Sequence, residues 1–383
     1  MTVVQERVQN FTEASVLHVK AAVQRVILTS FVSILGLILS AIPASAGLYV
    51  EALPQNEHLR DGNLHIFMLG TGNPESEMQN IRKPSCVVVI VDSKVFFFDA
   101  GEGAVQSAAG LGLPYEQVSK IFMTHWHSDH FGGLGQLLNA SWLHGRKHAV
   151  EVYGPKGTDQ VLEGITRAYK LDTGFRVASL QGVLNPNFAS ATPRSIDATA
   201  DGTLVYSDSK LKITCFLVKH SPVVPAFGYA INYGGAKIVI SGDTAVVKSL
   251  EDQSKDADLL ISESFSNPLS KKEVTSDQAA QVVKDLATYH ADSLELAKMA
   301  QRARVKRLVL THLVPCIPTD AEAKRAFTEG MPELFTGGLT VADDGDHIIV
   351  KPVANSQAEI QYMPHPQPKI PVFPRPKSES PAG

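Results

Sequence analysis

The chain has 383 residues, 44% of them hydrophobic and 19% charged, which excludes a wholly disordered protein and allows one large domain or two smaller ones. A formal net charge of −4 supplies none of the basic footprint of a nucleic-acid binder, so nucleic acid is not expected as a partner. Three cysteines, Cys86, Cys215 and Cys316, are too few and too scattered for a disulfide framework.

Residues 26–42 are apolar apart from small hydroxyl side chains, follow Lys20 and Arg25, and end at Pro43-Ala44-Ser45-Ala46-Gly47. This pattern predicts a signal peptide over 1–46 with cleavage after Ala46, which places the body in the periplasm or outside the cell. Left uncleaved, the same segment is an N-terminal membrane anchor. From Leu64 the chain alternates apolar runs with turns: L-H-I-F-M-L-G-T-G, S-C-V-V-V-I-V and K-V-F-F-F-D-A-G-E-G. These predict paired strands opening a sheet. Neither Gly70-Thr71-Gly72 nor Gly101-Glu102-Gly103 completes a nucleotide-binding loop, so both read as turns. A helix follows over 104–112, then a strand over 118–123, a helix over 132–143, a strand within 148–157 and a helix over 158–169. Residues 172–203 gather Asn, Ser, Thr, Asp, Gly and Pro and predict a long irregular insertion near a substrate cleft, where Arg167, Arg176 and Arg194 are candidate anion contacts. Beyond Val353 the chain turns polar and proline-rich, so 356–383 is expected to be a disordered tail behind a catalytic domain spanning 47–355.

The chemistry concentrates at T-H-W-H-S-D-H-F-G-G, residues 124–133, just after the apolar run Ile121-Phe122-Met123. Four metal-ligand side chains, His125, His127, Asp129 and His130, fall within six positions. Strand-like alternation points His125 and His127 to one side and one metal, and Asp129 and His130 then turn toward a second. Later strands repeat the theme: K-I-T-C-F-L-V-K-H ends at His220, A-K-I-V-I-S-G-D-T at Asp243, A-D-L-L-I-S-E-S at Glu263 and V-K-R-L-V-L-T-H at His312. Strands that each finish on a ligand-type residue imply ends converging on one edge. His144 and His148 read as exposed. Cys316 lies close after His312, but histidine and carboxylate donors already suffice.

These motifs resemble the metallo-β-lactamase superfamily of metallohydrolases, in the branch of tRNA 3′-end endonucleases and arylsulfatase-like enzymes. The resemblance runs from about Leu64 to Val350. It rests on the H-x-H-x-D-H signature, L-G-T-G, F-D-A-G-E-G, Y-G-P-K-G, H-x(6)-F-G-Y, S-G-D-T and L-T-H. It implies an α/β four-layer αβ/βα sandwich, with two mixed sheets face to face and helices outside. It also implies two zinc ions per subunit: His125, His127 and His220 on the first, Asp129, His130 and His312 on the second, and Asp243 bridging. Manganese or iron would suit the same donors. In the endonuclease branch a glutamate in H-E-A and a histidine in H-S-T assist the reaction. The corresponding places here are Ser262-Glu263-Ser264 and His290-Ala291-Asp292, which makes Glu263 and His290 catalytic candidates beside Asp129. Homodimers are common in that branch.

One departure bears on the substrate. The endonucleases carry a long basic arm between F-G-Y and S-G-D-T, whereas only residues 230–240 separate Tyr229 from Ser241 here. The expected activity is therefore exported hydrolysis of a small anionic ester, a sulfate ester or phosphodiester. The alternatives are tRNA 3′ processing, lactone or thioester hydrolysis, and a non-catalytic exported metal-binding protein. Penicillin-type β-lactamase activity is disfavoured by Asp129 and the F-G-Y features. Membrane contact is expected only if the N-terminal segment is retained.

Overall fold

The computed structural model describes residues 60–75, 78–180, 182–272, 274–353 and 358–366, so the predicted signal peptide lies outside the described residues. In chain order the strands are β1 Leu64–Gly70, β2 Cys86–Val91, β3 Lys94–Phe98, β4 Val118–Phe122, β5 Val150–Gly154 and β6 Ala191–Ser195. Next come β7 Thr203–Ser207, β8 Leu211–His220, β9 Val223–Tyr233, β10 Ala236–Ile240 and β11 Leu259–Phe265. The last four are β12 Arg307–Val314, β13 Gly338–Val341, β14 His347–Lys351 and β15 Glu359–Met363. One sheet runs β15-β14-β1-β2-β3-β4-β5-β6 and the other β13-β12-β11-β10-β9-β8-β7. Both are mixed: β3 to β6 are parallel neighbours in the first, and β10 to β13 in the second.

Alternation along the strands explains the layers. Ile66, Met68, Val89, Phe96 and Phe98 of the first sheet share one core with Ile213, Phe227, Tyr229, Ile238 and Ile261 of the second. The opposite face of the first sheet, Leu69, Val88, Ile90 and Phe97, packs with Leu134, Leu137 and Leu138 of the helix Leu134–Leu143. The opposite face of the second, Val239, Leu260, Leu308 and Leu310, packs with Leu296, Met299 and Ala300 of the helix Ser293–Arg302. Strands covered on both faces read as continuous apolar runs, which is why every residue of β1 and β2 is buried. The result is the expected four-layer α/β sandwich. Among the described residues no helix is long and apolar enough to cross a membrane.

Three expectations need correction. The helix foreseen over 158–169 continues to Ser179, so 172–203 is not an irregular insertion; it also holds β6 and the start of β7. The Asp172 carboxylate accepts from Arg176 one turn later and from Asn139, which partly offsets Gly174 in mid-helix. Second, β15 lies inside the predicted tail. Ile360 and Tyr362 pack on the inter-sheet core while Glu359, Gln361 and Met363 face solvent, a period-2 pattern masked by the nearby prolines. Third, Arg167, Arg176 and Arg194 pair with Glu163, Asp172 and Glu151, so none of them is held ready for an anion.

β9 returns into β10 through Gly234-Gly235, both at positive φ (54° and 86°). Glycine meets the backbone demand of a two-residue hairpin turn, and no arm projects there.

Candidate metal centre

All the strand-end residues named from the sequence arrive at one place, the C-terminal ends of the parallel strands of both sheets, where open α/β sheets hold their ligands. After β4, Thr124 to His127 run into a short helix, Ser128–Phe131, that carries Asp129 and His130. His220 ends β8, Asp243 follows β10, and His312 lies within β12. Two backbone devices aim them. Gly242 has φ 61°, and a side chain there would meet the Phe227 carbonyl at 2.4 Å, so the turn delivering Asp243 needs glycine. His312 has φ 42°, and the pairing of β11 with β12 steps from Glu263–Thr311 to Ser264–Leu313 across it. This bulge turns the imidazole into the cleft.

Two groups of donors result. His125 Nε2 lies 3.0 Å from His127 Nδ1 and 3.9 Å from Asp243 Oδ2. His220 Nε2 lies 3.3 Å from that same His127 nitrogen and 3.7 Å from the same Asp243 oxygen. In the second group Asp129 Oδ2 is 3.1 Å from His312 Nε2 and 3.5 Å from His130 Nε2. Asp243 closes that group too, at 3.4 Å from each of those nitrogens. Donors about 2.0–2.2 Å from a tetrahedral ion sit roughly 3.3–3.6 Å from one another, so both sets have the spacing of a ligand shell. His130 Nε2 and Asp243 Oδ1 are buried without a hydrogen-bond partner, which a cation would relieve. The residues fit a metal pair sharing Asp243.

The outer hydrogen bonds fix which nitrogen faces inward. His130 Nδ1 is 2.7 Å from Asp99, His125 Nδ1 is 3.0 Å from Thr124 Oγ1, and His220 Nδ1 is 3.0 Å from the Tyr289 carbonyl. In each case Nε2 is left for the cleft. Burial drives the pKa of His125 well down, favouring the neutral ring that ligates. Burial opposes charge on Asp243, yet His312 and His130 beside it hold the carboxyl far below its usual range.

Asp99 was legible only as a strand-end residue. In the fold it has φ 57°, accepts from the Thr124 N–H and hydroxyl at 2.8 Å each, and meets His130, so it organises the cluster. No spacing signal marks it, because its partners lie 25 and 31 residues away. Asp99→Ala is expected to weaken metal binding by about 10–100-fold, measured by competition with a chelating dye, with the fold retained by circular dichroism. Unchanged affinity would remove Asp99 from the site.

Glu263 and His290 form a second pair. His290 Nδ1 is 2.9 Å from Glu263 Oε1, which also accepts from the Thr244 N–H at 2.8 Å. Both residues are buried, so His290 is not a surface histidine, and its ring lies edge-on to that of His220 and stacked with that of His312. Burial alone would lower its pKa, but the Glu263 carboxylate and the hydrogen bond to it raise it to about 9. His144 and His148 are exposed, as expected. Cys316 stands outside both donor groups, and burial pushes its thiol up to about 12.

The fold and these donor groups define a metal-dependent hydrolase of ester bonds. The beta-lactamase superfamily domain matches residues 95–313. Ribonuclease Z of Mycobacterium bovis is 31% identical over 293 residues, covering 76% of this chain and 99% of the relative. Ribonuclease Z of Mycobacterium marinum is also 31% identical, over 66% of this chain and 88% of its own. Among solved structures, the short form of human tRNase Z superposes with TM-score 0.52 at 26% identity, covering 74% of this chain and 98% of that one. The Bacillus subtilis metallo-β-lactamase fold protein YhfI reaches 0.54 at 18% identity, covering 75% and 99%, which speaks to the fold. The chain belongs to the metallo-β-lactamase fold superfamily, in its ribonuclease Z branch.

Proposed function

We propose that the chain is a ribonuclease Z-like phosphodiesterase acting at RNA 3′ ends. His125, His127 and His220 would hold one zinc ion and Asp129, His130 and His312 a second, with Asp243 beside both groups. The observation that carries the reading is the pair of donor groups meeting at Asp243, in a chain that aligns over 76% of its length with 99% of the Mycobacterium bovis ribonuclease Z. The missing arm does not count against it. The alignment with the Mycobacterium bovis relative spans 293 residues and 99% of that relative despite the short turn between β9 and β10.

When bound, the metal pair would supply Lewis-acid activation of the phosphoryl group and of water near neutral pH. Asp129, buried beside His312, orients the attacking oxygen. His290 carries the proton that the leaving alkoxide needs, and Glu263 fixes its tautomer and position. His290→Ala should slow a poor alkoxide leaving group by roughly 10²–10⁴-fold while nitrophenolate release changes far less, read from parallel kinetics on the two ester types. Equal losses on both would sink the proton-donor role.

A second reading, exported hydrolysis of small anionic esters, rests on the net charge of −4 and on the apolar, signal-like residues 26–42. Incubating the zinc-loaded chain with a precursor tRNA carrying a 3′ trailer, beside bis-nitrophenyl phosphate and nitrophenyl sulfate, separates the two. Trailer removal that disappears in Asp243→Ala supports the first. Turnover of the small esters alone, together with a fusion reporter placing the body outside the membrane, supports the second.

A further inference from the structure

The cleft over the donor groups has a volume of about 310 Å³, and its lining includes the apolar Pro74, Leu286 and Val314 together with Tyr289. An apolar lining beside a few fixed polar groups is how a site takes up the organic part of a ligand. Leu286 ends the helix Asp277–Leu286, and its carbonyl accepts from the N–H groups of Tyr289 at 3.2 Å and His290 at 3.0 Å. That turn sets the two rings beside each other, with centroids 4.8 Å apart and planes at 50°. Tyr289 also stands edge-on to His220, 5.3 Å between centroids, while its carbonyl accepts from His220 Nδ1. The ring is thus placed between a metal donor and the proton carrier. Tyr229 and Tyr233 serve the core and are buried, whereas Tyr289 keeps part of its surface open. Val282, exposed one turn before Leu286, lengthens the apolar strip on that helix.

The position of His290 gives this lining a direction. A proton donor must lie within hydrogen-bond reach of the oxygen that leaves, so the nucleoside carrying that oxygen lies against His290 and its neighbour Tyr289. We propose that Tyr289 is the stacking platform for the base of the nucleotide that supplies the leaving oxygen, with Pro74, Leu286 and Val314 packing around the same base. This rests on the reading above that the chain cleaves RNA. Tyr289 is then a specificity-determining residue of a particular kind. It makes cleavage depend on a base being present before the cut without reading which base it is, because every base offers a π face.

The test uses the zinc-loaded full chain and two precursor RNAs with a 3′ trailer, identical except that one lacks the base of the nucleotide just before the mapped cut. Losing that base should lower kcat/KM of the wild type by about 5–150-fold, chiefly through KM. Tyr289→Leu leaves the backbone carbonyl for His220. It should cut the intact RNA more slowly by a similar factor and lose little more when the base is removed, because ring and base act on each other. Tyr289→Phe keeps the ring and should restore the dependence on the base. Base removal that costs Tyr289→Leu as much as it costs the wild type overturns the proposal. So does base removal that costs the wild type nothing, a result that needs no variant and holds even if Tyr289→Leu loses its metal. A larger cost when the missing base is on the trailer side of the cut overturns the direction assigned from His290. If the wild type turns over bis-nitrophenyl phosphate and cuts no RNA, the RNA reading fails and this proposal falls with it. RNA cleavage indifferent to the base sinks only the role of Tyr289.

Discussion

Asp243→Ala is expected to abolish hydrolysis of bis-nitrophenyl phosphate, by about 10³-fold or more, and to leave the purified chain with less than its full complement of metal. Asp243 is the one side chain common to both donor groups. Its oxygens stand 3.4 Å from His130 and His312 and 3.7–3.9 Å from His220 and His125. Removing it leaves each group a donor short and lets the two ions separate. The Lewis-acid contribution is worth several kcal/mol, so three decades in rate is the conservative expectation. The fold should persist. Asp243 lies beyond the end of β10, and its interactions are with the donor histidines, with no part in a strand ladder. Metal analysis, circular dichroism and kinetics on one preparation check all three points. Full metal content with near-normal turnover would remove the shared-ligand geometry from the mechanism.

The second large effect is on stability. Arg82 is fully buried and uses its guanidinium four times. Nε donates to the Ile317 carbonyl at 2.7 Å, and one terminal nitrogen donates to Thr71 Oγ1 at 2.8 Å and the Ala342 carbonyl at 2.6 Å. The other reaches Asp343 at 2.7 Å. These bonds clamp the loop after β1 to the segments following β12 and β13, directly behind the stretch that carries His312. Arg82→Met should cost about 3–5 kcal/mol, since it strands two carbonyls in the interior and removes one of the two cations beside Asp343, the other being Lys324. Arg82→Lys should recover little of it, because an ammonium cannot reproduce the planar fork. Urea unfolding of the zinc-loaded chain at pH 7 reads the difference. A loss below about 1 kcal/mol would mean that the clamp is not structural.

Arg82 shows where reading the sequence stops. Its four partners come from positions 71, 317, 342 and 343, and no local pattern distinguishes it from a solvated arginine. Asp99 is a similar case, a polar strand end whose work depends on residues from the next crossover. The helix Thr158–Ser179 was underestimated because glycine and threonine weaken its second half locally, while the Asp172–Arg176 pair and the Asn139 contact to Asp172 support it. The strand β15 was hidden by composition, since proline-rich surroundings masked five residues of alternation.

In the sequence by itself the strands and their apolar faces were legible from period-2 and continuous runs, and the layered α/β architecture followed from the motifs' resemblance to the metallo-β-lactamase superfamily. The sequence also offered the candidate donors His125, His127, Asp129, His130, His220, Asp243 and His312, because ligand-type residues recur at the ends of those runs. Only the tertiary structure decided which ring nitrogen His125, His130 and His220 offer and that Glu263 is paired with His290. Those properties depend on contacts between residues up to 69 positions apart, such as His220 and Tyr289. Strand periodicity fixes which face a side chain takes, but the crossover connections fix what it meets there.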